Sequence, residues 1–265
     1  LAAASVSADR VSSSRPATSA PTARASAGAR DLSALVDTKD PGWPVVQGWI
    51  AKAKNRVEVL PVRPSDGERA LLSLQVTTRS PLGAIAYSTG GLLIDHGWIR
   101  ALGGGSTKLP RDIATWNDGN GAGKPPRLPG AVLVADDVLG GFFALNGSAF
   151  EGGVQHVFYF APDSLKWEDT GRSYSEFLTF LFDGDLAKFY EGQRWPSWKK
   201  DVEALSGDRA YSFQPFPFTK DGGPLERRSR RDVPIHELWG LYTETLAKQL
   251  GGLADGEKVD IEVTP

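Results

Sequence analysis

At 265 residues, with 40% hydrophobic and 23% charged side chains, the chain has the usage of an ordinary globular domain and enough apolar surface for one main core. Its 30 basic against 32 acidic residues leave a formal charge of -2, without a global drive toward nucleic acid or anionic lipid, and the lack of cysteine excludes disulfides, thiolate zinc sites and thiol nucleophiles. No run approaches the roughly 18 to 20 apolar residues of a membrane-spanning helix, so neither nucleic acid nor a membrane is expected as a partner, and a reducing cytoplasm is the expected location.

Residues 1–30 are nearly all Ala, Ser, Thr, Pro, Val and Arg without an aromatic side chain, so a disordered tail is expected there, favoured over a targeting segment. The folded region is expected to open at Asp31 with two short helices, DLSALVD and PGWPVVQGWIAKAKN, the second with Pro44 in its first turn. A strand over Val57–Val62 and a helix over Ser65–Gln75, capped by Ser65 or Asp66, follow. Ser80 and Pro81 start another helix, ending near Thr89 with Gly90 and Gly91 as a left-handed exit. Leu92–Leu102 then reads as one strand with His96, Trp98 and Arg100 on a single face, stopped by Gly103–Gly105. Lys108–Leu128, apart from DIATWND, reads as an exposed loop.

The nearly continuous apolar run Ala131–Leu145, broken at Asp136, Asp137, Gly140 and Gly141, predicts a hairpin buried on both faces and central to a sheet. A third strand over Val154–Phe160 ends at Ala161-Pro162-Asp163. Ser173 and Glu176 form a capping box for a helix whose Tyr174, Phe177, Leu178 and Leu181 share a face. Asp183-Gly184-Asp185 breaks it, and a further helix begins around Pro196. AYSFQPFPF reads as an extended edge segment because of Pro215 and Pro217, DGGPLERRSRRD as a charged loop, and VPIHELWGLYTETLAKQLGG as a last helix. Helices before and after consecutive strands give an α+β domain at 31–252 between tails at 1–30 and 253–265.

Little catalytic chemistry is legible. His96, His156 and His236 lie in distant segments; His236-Glu237 lacks the second zinc-protease histidine at Gly240, and Gly119–Lys124 lacks both the first glycine and the following hydroxyl of a phosphate loop. No Gly-x-Ser-x-Gly elbow occurs, and no metal or cofactor is expected. The strongest polar candidates are Asp95, His96 and Trp98, with Asp136 and Asp137 at the next turn, where carboxylates and an imidazole suit proton transfer or ligand binding. The alternative is that the same carboxylates only satisfy turn backbone groups, which is favoured. Trp116 joins the candidates as an aromatic of the kind that anchors interfaces, though tryptophans more commonly fill cores. The basic stretch Glu226–Asp232 suits an acidic partner or a solvated loop equally.

Through DPGWPVVQGWI, QVTTRSPLGAIAYSTGGLLIDHGWIRALG, GAVLVADDVLGGFFALNG, VFYFAPDSLKW and YSEFL to FYEGQRWPSW, the chain resembles the bacterial domain of unknown function 2625 over about Asp31–Gly251. More remotely, the Gly140-Gly141-Phe142 hairpin, a Val-x-Tyr-Phe strand and the Tyr174–Leu178 helix are similar to the SUKH superfamily. That resemblance implies a central, mostly antiparallel sheet flanked by helices with a C-terminal helical extension, and a protein-binding module of the immunity type, neutralising a protein toxin, rather than an enzyme. The competing reading is a small-molecule-binding or hydrolytic protein with its site near Asp95, His96, Asp136 and Asp137, and a third is a scaffold acting through its tail.

Overall fold

The computed structural model describes residues 28–119, 127–220, 223–251 and 258–259. Most of the tails expected at 1–30 and 253–265 therefore lies outside the described residues, as does the glycine-rich stretch 120–126.

The chain enters through α1 (Leu32–Leu35), capped by Asp31, and α2 (Trp43–Ile50), with Pro44 in its first turn. Strand β1 (Val57–Leu60) leads to α3 (Pro64–Leu74), which starts one residue earlier than expected because Pro64, with φ already set for a helix, occupies the first turn, so Arg63 rather than Ser65 or Asp66 is the cap residue and Ser65 and Asp66 lie inside the helix. Gln75, in the left-handed region at φ 55, ends it. Ser80 caps α4 (Pro81–Ser88) as expected, but the exit differs: Thr89 is extended, and Gly90 serves close approach, since a Cβ there would lie 2.5 Å from the Pro61 carbonyl oxygen.

The largest correction concerns residues 92–102. They form two strands, β2 (Gly91–Ile94) and β3 (Ile99–Leu102), joined by a tight turn at Asp95, His96 and Gly97. These three have φ values of 50, 64 and 90°, which reverse the chain, so His96, Trp98 and Arg100 do not line one strand face. The expected loop after Lys108 is also partly interior: α5 (Ile113–Asn117) is capped by Asp112, and Leu109, Ile113 and Trp116 are buried.

β4 (Ala131–Asp137) and β5 (Phe142–Asn146) make the predicted hairpin, and β6 (His156–Ala161) and β7 (Lys166–Ser173) complete a seven-stranded sheet. β7 was not expected as a strand, since its charged side chains suit an edge rather than a core. Strand order follows chain order with every pair antiparallel, so β4 and β5 lie inside and β1 and β7 form the edges. The apolar run of the hairpin follows from cover on both faces: Phe143 packs 4.9 Å from Phe177 on one side, while Phe142 meets Trp239 at 4.9 Å on the other.

Phe177 belongs to α6 (Tyr174–Asp183), whose start is secured by the reciprocal Ser173–Glu176 capping box. α7 (Leu186–Phe189) and α8 (Trp198–Ala204) follow. β8 (Arg209–Gln214) pairs with β9 (Ser229–Pro234) in a separate two-stranded sheet, so the segment expected as a charged loop is half strand. The last helix comprises α9 (Ile235–Trp239), a π-helical stretch (Gly240–Leu246) and α10 (Ala247–Leu250), ended by left-handed Gly251. Among the described residues, no helix is long and apolar enough to cross a membrane.

Candidate functional site

The β2–β3 turn places three successive residues at positive φ, and only the third is glycine. Aspartate tolerates this region better than most residues, whereas histidine there stores strain that the surroundings must hold. Two devices hold it. Asp95 accepts from Arg194 Nη2 at 2.5 Å, and Trp98 is fully buried among Tyr190, Trp195 and Trp198, with ring centroids 5.4, 5.6 and 5.2 Å away. The Arg194 guanidinium also lies over Trp198 at 4.3 Å, so the pair with Asp95 is backed by an aromatic face.

His96 points the other way. Its Nδ1 is 2.7 Å from Glu203 Oε1 on α8, and its ring meets Trp198 edge-on at 5.7 Å. An ionised carboxylate only accepts, so the Nδ1 proton sits between the two groups and Nε2 carries the lone pair in the neutral ring. Arg56 Nη1 donates to the same Glu203 oxygen at 2.6 Å. The hydrogen bond from His96, and then Arg56, hold the Glu203 carboxyl below the usual range. His96 and Glu203 line a cleft of about 440 Å³ together with Arg56, Glu58, Arg100, Thr107 and Lys108.

Beneath the cleft lies a buried charge network. The β3–β4 register sets Arg100 opposite Asp136 and Ile99 opposite Asp137. Asp136, with no exposed surface, accepts from Arg100 Nε at 2.7 Å and from Arg111 Nη1 at 2.7 Å. The remaining donors are used on main chain: Arg100 bonds the carbonyls of Arg209 and Asp137, and Arg111 that of Gly207. Burial pushes the Arg111 guanidinium down while Asp136 pulls it back up. Trp116 stacks on that guanidinium at 4.5 Å. Asp137 faces away, its Oδ1 accepting the N–H groups of Leu139 and Gly141 at 2.9 Å each, its Oδ2 the hydroxyls of Tyr159 and Tyr190 at 2.8 and 3.1 Å. Burial raises its pKa against those four donors.

The six candidate residues thus separate. Asp95, His96 and Trp98 share one turn, Asp136 and Asp137 lie on the neighbouring strand, and Trp116 joins them through Arg111. Of the six, His96 alone lines the cleft. Sequence reasoning missed Arg56, Lys108, Arg111, Arg194 and Glu203. Arg100 and Arg111 carried a signal, as cations in apolar surroundings that need a buried carboxylate. Arg56 and Glu203, 147 positions apart, carried none.

A second cleft of about 690 Å³ adjoins the first, lined by Arg63, Asp66, Arg69, Arg111 and Asp112, and it shares Glu58, Thr107 and Lys108 with it. The Lys108–Glu58 ion pair stands at the boundary. Asp66 is held ionised by Arg63 and Arg69. The glycine run forms the wall: a Cβ on Gly104 would lie 2.6 Å from Val62 Cγ2. No group of His, Cys, Asp or Glu suited to a metal ion occurs among the described residues.

Residues 32–238 match the model of the family described as protein of unknown function DUF2625. The uncharacterized protein YbfG of Escherichia coli (strain K12) is 44% identical over 212 residues, covering 79% of this chain and 94% of its own. An uncharacterized protein of Haemophilus influenzae is 39% identical over 204 residues, covering 77% and 90%. No solved structure matches the chain. The chain belongs to the DUF2625 family.

Proposed function

We propose that this member of the DUF2625 family is a recognition module of the immunity type, which holds an extended, acidic segment of a partner protein toxin along the β1 edge of its sheet. The observation that carries this reading is the continuity of the two clefts through Glu58, Thr107 and Lys108, along a strand with no sheet neighbour on one side. An edge strand offers unpaired backbone groups to an incoming strand, whose side chains would alternate between the clefts on the Glu58 face and the 40%-exposed Val59 on the other face. Arg56, Arg63, Arg69 and Lys108 line the same path, a pattern that selects carboxylate-bearing segments and speeds their capture. The immunity class is supported by the short SUKH-like motifs around Gly140–Phe142 and Tyr174–Leu178.

Copurification of the tagged protein with the products of neighbouring genes tests the proposal. A partner is expected to be retained by the wild type and released by Val59→Lys and by Lys108→Glu, both at exposed positions and neither expected to shift the melting temperature. Retention of the partner by both variants, or no partner from any neighbouring gene, removes this reading.

A further inference from the structure

We propose that the His96 end of the groove is a binding site for a small oxyanion of the phosphate class, held by His96, Arg56 and Lys108. This goes beyond the recognition of a protein segment and needs no macromolecular partner.

Three independent features converge on it. The first is orientation. Glu203 fixes the His96 ring through Nδ1, and Nε2 makes no hydrogen bond to a described residue, so its lone pair remains to accept from a protonated ligand oxygen in the cleft, such as the P–OH of hydrogen phosphate. Carboxylate–imidazole pairs set both the tautomer and the direction of the second nitrogen.

The second is unspent donor capacity. Arg56 donates through Nη1 to Glu203, the same Nη1 lying 3.0 Å from the His96 Nδ1 that the N–H occupies, so Nε and Nη2 are without partners among the described residues. Lys108 has three donors and directs one at Glu58. The Thr107 amide and hydroxyl at the tip of the Ser106–Leu109 turn, and the Ser206 hydroxyl, make no hydrogen bond to described residues either, and both residues line the cleft. Donors on several sides of one small cavity suit a group with three or four equivalent oxygens better than a planar carboxylate with two.

The third is charge and strain. The cleft lining carries Arg56, Arg100 and Lys108 against Glu58 and Glu203, and with Arg111 and Asp136 beneath it the group holds four cations against three carboxylates. Arg100 shares the single carboxylate of Asp136 with Arg111, whose field is moderated by Asp208. The left-handed backbone at His96 is the kind of local strain that persists where a side chain must be aimed.

The test uses the full chain and its three histidines, whose imidazole NMR signals are assigned by the loss of one set in His96→Gln. Inorganic phosphate, a phosphomonoester (phosphoserine) and acetate are each titrated to about 10 mM at constant ionic strength. Phosphate is expected to shift the His96 signals saturably while those of His156 and His236 stay in place. Arg56→Gln should weaken the response by roughly tenfold, the loss of one charge-assisted hydrogen bond, with an unchanged melting temperature. Tighter binding of phosphoserine assigns the site to a phosphorylated metabolite, and equal binding assigns it to free phosphate. The proposal is overturned if His96 does not respond to either phosphate, if all three histidines move together, or if acetate binds as well as phosphate. Failure here leaves the partner-capture reading standing, because Val59→Lys tests that reading without involving His96.

Discussion

Asp136 is the residue on which the most buried charge depends. Two guanidiniums converge on it inside the sheet, one of them stacked on Trp116, and neither has another carboxylate within hydrogen-bonding reach among the described residues. Replacing it with alanine strands two cations in a low-dielectric interior, where breaking such an arrangement typically costs about 3–5 kcal/mol. Urea denaturation of Asp136→Ala is therefore expected to show a loss of that size at unchanged m-value. A loss below about 1 kcal/mol, the scale of a surface pair, would mean that water reaches the network. His96 and Glu203 are the contrasting case, a pair open to solvent on the Glu203 side, whose geometry aims a ring and contributes little to stability.

At the scale of elements, glycine sets how closely the helices and strands approach. Gly67 in the middle of α3 is buried, and a Cβ there would lie 2.2 Å from the Tyr87 carbonyl oxygen of α4. Helix propensity alone predicts that Gly67→Ala stabilises by about 1 kcal/mol. The contact with α4 reverses the sign, because backbone cannot yield as a flexible side chain does, and overpacking of this kind costs roughly 1–3 kcal/mol. A lowered melting temperature for Gly67→Ala checks this, and a raised one would show that α3 and α4 separate easily. The capping box of α6 and the Ser80–Pro81 start of α4 were readable because both act within one turn of chain. The β2–β3 turn was not, since apolar residues on each side of Asp95-His96-Gly97 resemble one long buried strand.

For the whole molecule, two opposed sets of carboxyl groups shape the dependence of stability on pH. Asp66, Asp201 and Glu203 have pKa values lowered chiefly by hydrogen bonds from Arg63, Trp195 and His96 respectively, so what they add to stability is present above their unfolded values and is lost as pH falls through the folded ones. Asp137 runs the other way. Its pKa is raised by burial, so its contribution is fully present below the unfolded value and is lost as pH rises through the folded one. Asp137→Asn keeps the acceptor for the Leu139 and Gly141 amides and presents an NH₂ to tyrosine hydroxyls that can turn to accept. The free energy of unfolding of the variant minus that of the wild type should accordingly grow as pH is raised from about 4 toward 8. A difference that is flat over that range would mean that Asp137 folds with an unshifted carboxyl.

The sequence by itself determined the local and the compositional: which segments become helices with side-chain or proline starts, the two-faced burial of the β4–β5 hairpin, the α+β class and the family. Those properties depend on residues a few positions apart or on the apolar pattern of a single element. Tertiary structure alone decided which polar groups meet. Arg56, His96 and Glu203 come from three distant segments, Asp136 found its second cation across a turn, and β9 turned a charged stretch into a strand by pairing with β8. Such meetings are set by how packed layers bring remote backbone together, and a hydrogen bond 2.7 Å long leaves no period or spacing along the chain to be read.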